Sequence, residues 1–67
     1  RPGTEALTEQ ERAVATLVAT GLTNKEVAAS MLLSVKTVQF HLTRVYAKLG
    51  VCSRSAATRV AVERGLV

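Results

Sequence analysis

The sequence predicts an all-α domain of four helices, and three observations carry that expectation. The first is a pair of capping boxes, Thr8 three residues before Glu11 and Thr23 three residues before Glu26. In such a box the threonine hydroxyl accepts from the amide three residues on, while the glutamate reaches back to the threonine amide. The second is a set of glycines, Gly21, Gly50 and Gly65, each closing an apolar-periodic stretch where a left-handed residue suits a helix end. The third is the spacing of Val38, Leu42, Val45 and Leu49, which draws one stripe down a long helix.

Taken in order, the first helix starts at the Thr8 cap, carries Leu7, Val14, Leu17 and Val18 on one side and stops at Gly21. A short second helix follows the Thr23 cap, with Val27, Ala28 and Met31 as its apolar side. Ser34 caps the third helix, which runs to Gly50, and Ser53 caps the fourth, with Ala57, Val60 and Ala61 inward and Gly65 at its end. Val51-Cys52 is a short apolar run that reads as a connector, and Pro2 and Gly3 make residues 1–5 read as a linker end or disordered leader before a domain over 6–67.

A chain of 67 residues supports one domain and a small core, so a deep pocket for a large cofactor is not expected. No apolar run approaches the roughly 18–20 residues of a membrane span. One cysteine, one histidine and no aspartate leave neither a nucleophilic triad nor a metal cluster to be written. Neither an enzyme nor a metal or other cofactor is expected, and no small-molecule ligand in this domain.

Charge is one-sided. Residues 1–35 hold three basic side chains against four glutamates, whereas residues 36–67 hold six against Glu63 alone. Between Glu26 and Glu63 there is no acid, a distribution that suits a polyanionic partner.

The short second helix, the turn Leu32-Leu33-Ser34 and the longer third helix make a helix-turn-helix. With Val38 at the centre of the buried stripe, a 100° step places Lys36, Phe40, Thr43 and Ala47 on the opposite face, flanked by Thr37, Gln39 and Arg44. A base, an amide, hydroxyls and a ring on one open face suit a DNA groove. Lys36, Arg44 and Lys48 share that face and are expected on phosphates, with Lys25 added near the start of the second helix.

At these residues the chain resembles the LuxR-type DNA-binding domain, the GerE/FixJ group. The resemblance rests on Leu7-Thr8-Glu9-Gln10-Glu11, on Gly21-Leu22-Thr23-Asn24-Lys25-Glu26-Val27-Ala28, on Ser34-Val35-Lys36-Thr37-Val38-Gln39-Phe40-His41-Leu42 and on Lys48-Leu49-Gly50-Val51-Cys52-Ser53-Arg54. Lys36-Thr37-Val38 and Arg44-Val45-Tyr46 are closest to actinobacterial members. The resemblance implies a four-helix LuxR-type helix-turn-helix domain with its recognition helix, about 35–49, in the major groove. It implies sequence-specific binding of double-stranded DNA within a bacterial transcriptional regulator of the cytoplasm. Base-facing positions fall on Gln39, Phe40 and Thr43. Backbone-contacting positions fall around Thr23, Asn24, Lys25, Lys36, Thr37, Arg44 and Lys48. The family pairs through the fourth helix, where the wheel turns Ser55, Thr58, Arg59 and Val62 outward, so a homodimer is expected there. Gln10 stands where many relatives carry Arg. Leu32 stands where Gly is frequent, so the turn is expected to be strained or differently shaped.

Each assignment has a plainer rival. Gln39 either pairs with an adenine edge or is a solvated amide. Phe40 either touches a thymine methyl or folds sideways onto the second helix. His41 reads as a partly buried packing residue or phosphate donor, Cys52 as a small buried hydrophobe and Tyr46 as core with its hydroxyl near the surface. Arg54 is expected to pair with an N-terminal glutamate. For the whole chain the alternative is a helical protein-interaction domain, which would need an apolar patch where Lys36, Thr43 and Arg44 stand.

Overall fold

The computed structural model describes residues 6–66, in which four helices follow one another with no strand. Residues 1–5, expected as a linker end, and Val67 lie outside the described residues. The helices are α1 (Glu9–Ala19), α2 (Asn24–Met31), α3 (Val35–Leu49) and α4 (Arg54–Glu63). Their starts follow the local chemistry of the sequence. The Glu11 and Glu26 amides donate to Thr8 Oγ1 and Thr23 Oγ1, each at 3.2 Å, and both glutamates accept from the threonine amides. Ser34 Oγ accepts from the Thr37 amide at 3.1 Å, and Ser53 Oγ from the Ala56 amide at 3.1 Å.

The four ends share one device. After each helix stands a residue of positive φ: Gly21 (101°), Leu32 (58°), Gly50 (72°) and Gly65 (72°). The apolar residue that follows each one donates its amide five residues back: Leu22 to Leu17, Leu33 to Ala28, Val51 to Tyr46 and Leu66 to Ala61. This closure satisfies carbonyls the helix would leave open and turns an apolar side chain back under the last turn. Leu22, Leu33, Val51 and Leu66 accordingly pack on the core. Among the described residues Leu32 alone holds the left-handed conformation with a side chain, at about 1–2 kcal/mol, and that side chain is 91% exposed.

α1 lies against the other three helices. On one side Val14 and Val18 meet Val27 and Ala28 of α2 and Val38 and Leu42 of α3. On the other, Ala15 meets Val45 and Leu49 of α3, with Val60 of α4 packed against them. Tyr46 touches both groups and joins them. The small Ala28 lets α2 approach closely, so α2 and α3 are held as a rigid helix-turn-helix on the α1 platform.

Cys52 departs from expectation, being exposed in the bend before the Ser53 cap. Val51 takes the inward place in that connector, and its neighbour turns to solvent.

Candidate nucleic-acid interface

α3 is amphipathic. Val38, Leu42, Val45 and Leu49 are buried, while Lys36, Gln39, Phe40, Thr43, Arg44 and Ala47 are exposed and Thr37 is half-buried at the helix start. At 15 residues the helix is about 22 Å long, enough to lie along a major groove. Thr43 Oγ1 donates to the Gln39 carbonyl at 3.0 Å, which fixes the hydroxyl and leaves its lone pairs outward. Thr37 Oγ1 and Ser34 Oγ lie 2.9 Å apart within the cap. Phe40, 59% exposed, stays on the open face instead of folding onto α2. Its ring meets His41 edge-on at 5.7 Å, and the Arg44 guanidinium lies 5.9 Å from its centroid. The charged head above the ring holds Phe40 upright on the helix.

The basic residues do not all reach that face. Lys36 and Lys25 are exposed. Arg44 is half-exposed, its Nε donating to Glu11 Oε2 at 3.2 Å, and its terminal N–H groups meet no acceptor among the described residues. Lys48, expected on a phosphate, is turned inward. Its side chain is 12% exposed, and Nζ donates to Glu11 Oε1 at 2.7 Å and to the Ala6 carbonyl at 3.4 Å. A lysine whose charge is matched by a buried carboxylate is not available to a polyanion, so Lys48 leaves the phosphate set.

Glu11 is the residue sequence reasoning missed as a support of the site. It is 2% exposed, yet both its oxygens are bonded. The Lys48 ammonium, then the Thr8 amide, hold its carboxyl down to about pKa 2 against the opposing effect of burial, with Arg44 adding to them. One carboxylate thereby anchors two bases of α3 to α1. The signal was available: positions 7, 11, 14 and 18 form one stripe, so the wheel already put this glutamate on the buried side.

The remaining expected phosphate contacts stand at the start of α2. Thr23 uses its amide and hydroxyl oxygen within its own capping box. Asn24 is half-buried, and its Oδ1 accepts from Arg54 Nη1 at 2.7 Å. Arg54, expected to pair with an N-terminal glutamate, meets none among the described residues and instead bonds to the loop entering α2, its Nη2 donating to the Leu22 carbonyl. On α4, Ser55, Arg59 and Val62 are exposed and Thr58 is half-buried.

A helix-turn-helix whose second helix turns an acid-free polar face outward defines a DNA-binding domain. Comparison with known proteins agrees. Residues 5–61 match the GerE family model, bacterial regulatory proteins of the LuxR family. A Mycobacterium bovis protein named as an HTH-type transcriptional regulator is 49% identical over 63 residues, 94% of this chain and 7% of its own length. The DNA-binding transcriptional activator DevR/DosR of Mycobacterium tuberculosis is 46% identical over 57 residues, 85% of this chain and 26% of its own. The crystal structure of the response regulator ChrA, of a heme-sensing two-component system, superposes with a TM-score of 0.86 at 36% identity. That match covers 100% of this chain and 33% of the ChrA chain. The chain belongs to the LuxR family of bacterial regulatory proteins and is a helix-turn-helix DNA-binding regulatory domain of that family. Among the described residues no helix is long and apolar enough to cross a membrane.

Proposed function

We propose that this domain reads double-stranded DNA by laying α3 in the major groove, as part of a cytoplasmic transcription regulator, and that it performs no catalysis. The observation that carries the reading is the open face of α3, where Lys36, Gln39, Phe40, Thr43 and Arg44 stand together with no acid between them. Gln39 offers an amide that can pair bidentately with adenine, Phe40 an apolar edge for a thymine methyl, and Thr43 a hydroxyl oxygen fixed toward the groove. Thr23, Asn24, Lys25, Lys36, Thr37 and Arg44 hold phosphates on either side and set the register. Two copies pair through Ser55, Thr58, Arg59 and Val62 of α4 on half-sites about one helical turn apart.

Selection of bound fragments from random duplex DNA, followed by titration over a salt range, tests this reading. One enriched consensus is expected. Gln39→Ala should relax preference at a single base pair by about 1–3 kcal/mol while phosphate-driven binding persists. If Gln39→Ala kept every base preference, α3 would not be the reading helix. A chain that bound no duplex at low salt would instead favour the protein-interaction alternative.

A further inference from the structure

Arg54 is the first residue of α4, and that position is electrostatically poor for it, because the N-terminal end of a helix carries partial positive charge. No carboxylate lies within ion-pair range among the described residues to offset this. The half-buried guanidinium faces two neutral oxygens instead, Asn24 Oδ1 at 2.7 Å and the Leu22 carbonyl. Both belong to the loop and first residue that start α2.

We infer that Arg54 is a positioning residue for DNA binding: it holds the Asn24 amide so that its N–H pair, and not its oxygen, faces a DNA phosphate. This rests on the reading proposed above. An asparagine amide is planar, with oxygen and nitrogen on opposite arms, and the two orientations are nearly equal in shape. Turned one way it donates to a phosphate; turned the other way it presents an acceptor to an anion. A guanidinium only donates, so it accepts one orientation and rejects the other. With Oδ1 fixed toward α4, Nδ2 is directed to the opposite side, where it meets no acceptor among the described residues. The second arm of the fork, on the Leu22 carbonyl, fixes the guanidinium plane itself. A lysine could satisfy one of these oxygens but lacks the planar fork that spans both.

Fluorescence anisotropy with a selected duplex and a random duplex, across a salt series, tests the assignment on this chain. Arg54→Ala should weaken binding to both duplexes about five- to tenfold with an unchanged slope of log K against log salt, since no phosphate-bound cation is lost. In an Asn24→Ala background the same change should have no further effect. Arg54→Lys should recover only part of the loss. Asn24→Asp keeps the acceptor for Arg54 but removes the donor and adds a charge, so Tm should hold or rise while affinity falls about tenfold. The uncharged Asn24→Ala should also lose affinity, and its unchanged affinity would overturn the inference even if Arg54→Ala folds poorly. A slope lowered by about one unit in Arg54→Ala would make Arg54 itself the phosphate ligand and overturn the inference. So would equal losses in the two Asn24 backgrounds, or unchanged affinity in Asn24→Asp. Failure of the unaltered chain to bind either duplex would fall on the proposed function first, which separates the two readings.

Discussion

Leu32 holds φ at 58° with its side chain 91% exposed, so the turn bears backbone strain and gains almost no packing in return. Leu32→Gly should therefore stabilise the fold by about 0.5–1 kcal/mol, the relieved strain less the entropy a glycine adds to the unfolded chain. A urea midpoint that rises without a change in slope would bear this out, and a fall would show the side chain to have a partner. Glu11 sets a second residue-scale expectation. Its carboxyl is held at about 2 against an ordinary 4.5, so the folded state binds that proton more weakly than the unfolded state does. Its stabilisation is then complete above about pH 5 and is lost as pH falls toward about 2. Thermal melts from pH 6 to 3 should show this loss, and Glu11→Gln should lower Tm at pH 7 and flatten the dependence. An unchanged pH profile in Glu11→Gln would remove Glu11 from that role. What was legible at this scale was local: both capping boxes join residues three apart, and the sequence prints both partners side by side. Lys48 and Arg54 find their partners 37 and 30 residues away, and no periodicity within one helix reveals which neighbouring helix supplies an acceptor.

Among the elements, α3 carries both the platform contact and the open face, and its two bases near Glu11 are not equivalent. Lys48 is committed to the carboxylate, whereas Arg44 uses only Nε and keeps its terminal N–H groups clear. Lys36 touches neither. Lys36→Ala should leave stability within about 0.5 kcal/mol and lower the salt slope of DNA binding by about one unit. Arg44→Ala should lower the slope similarly and also cost about 1 kcal/mol of folding free energy, because Glu11 loses a donor and Phe40 its cation. Denaturation and salt titration of the same two variants separate these outcomes; equal stabilities would mean the Arg44–Glu11 contact is inert. The wheel identified the exposed face of α3 from sequence, since burial there follows the 3.6-residue period. It could not rank the residues at the edge of that face, because a long lysine at the boundary turns inward or outward according to what the facing helix offers. The helix ends were legible wherever glycine marked them, and the α2 end was flagged only by the absence of one.

For the whole molecule, the expectation to test is the proposed pairing through α4. α4 packs on α1 and on the buried side of α3, while Lys36, Gln39, Phe40 and Thr43 stand on the exposed side of α3, so pairing through α4 is compatible with an open reading face. On α4 the outward Val62 is 58% exposed beside Ser55, Thr58 and Arg59. A lone surface valine is ordinary, and a patch of this size is far below the roughly 1,200 Å² of total burial that a stable interface needs. Pairing in dilute solution is therefore not expected; adjacent half-sites would supply the local concentration that the patch lacks. Val62→Glu would set two carboxylates against each other across a two-fold axis in a contact too small to absorb the repulsion. The variant should keep its Tm and its affinity for a single half-site, since Val62 lies outside the buried core. On a duplex with two half-sites its binding should become the product of two independent events, with cooperativity gone. The single-half-site control guards against simple repulsion of the new charge by DNA. Cooperativity equal to that of the unaltered chain on the two-site duplex would remove α4 as the pairing surface, while leaving the reading face on α3 untouched.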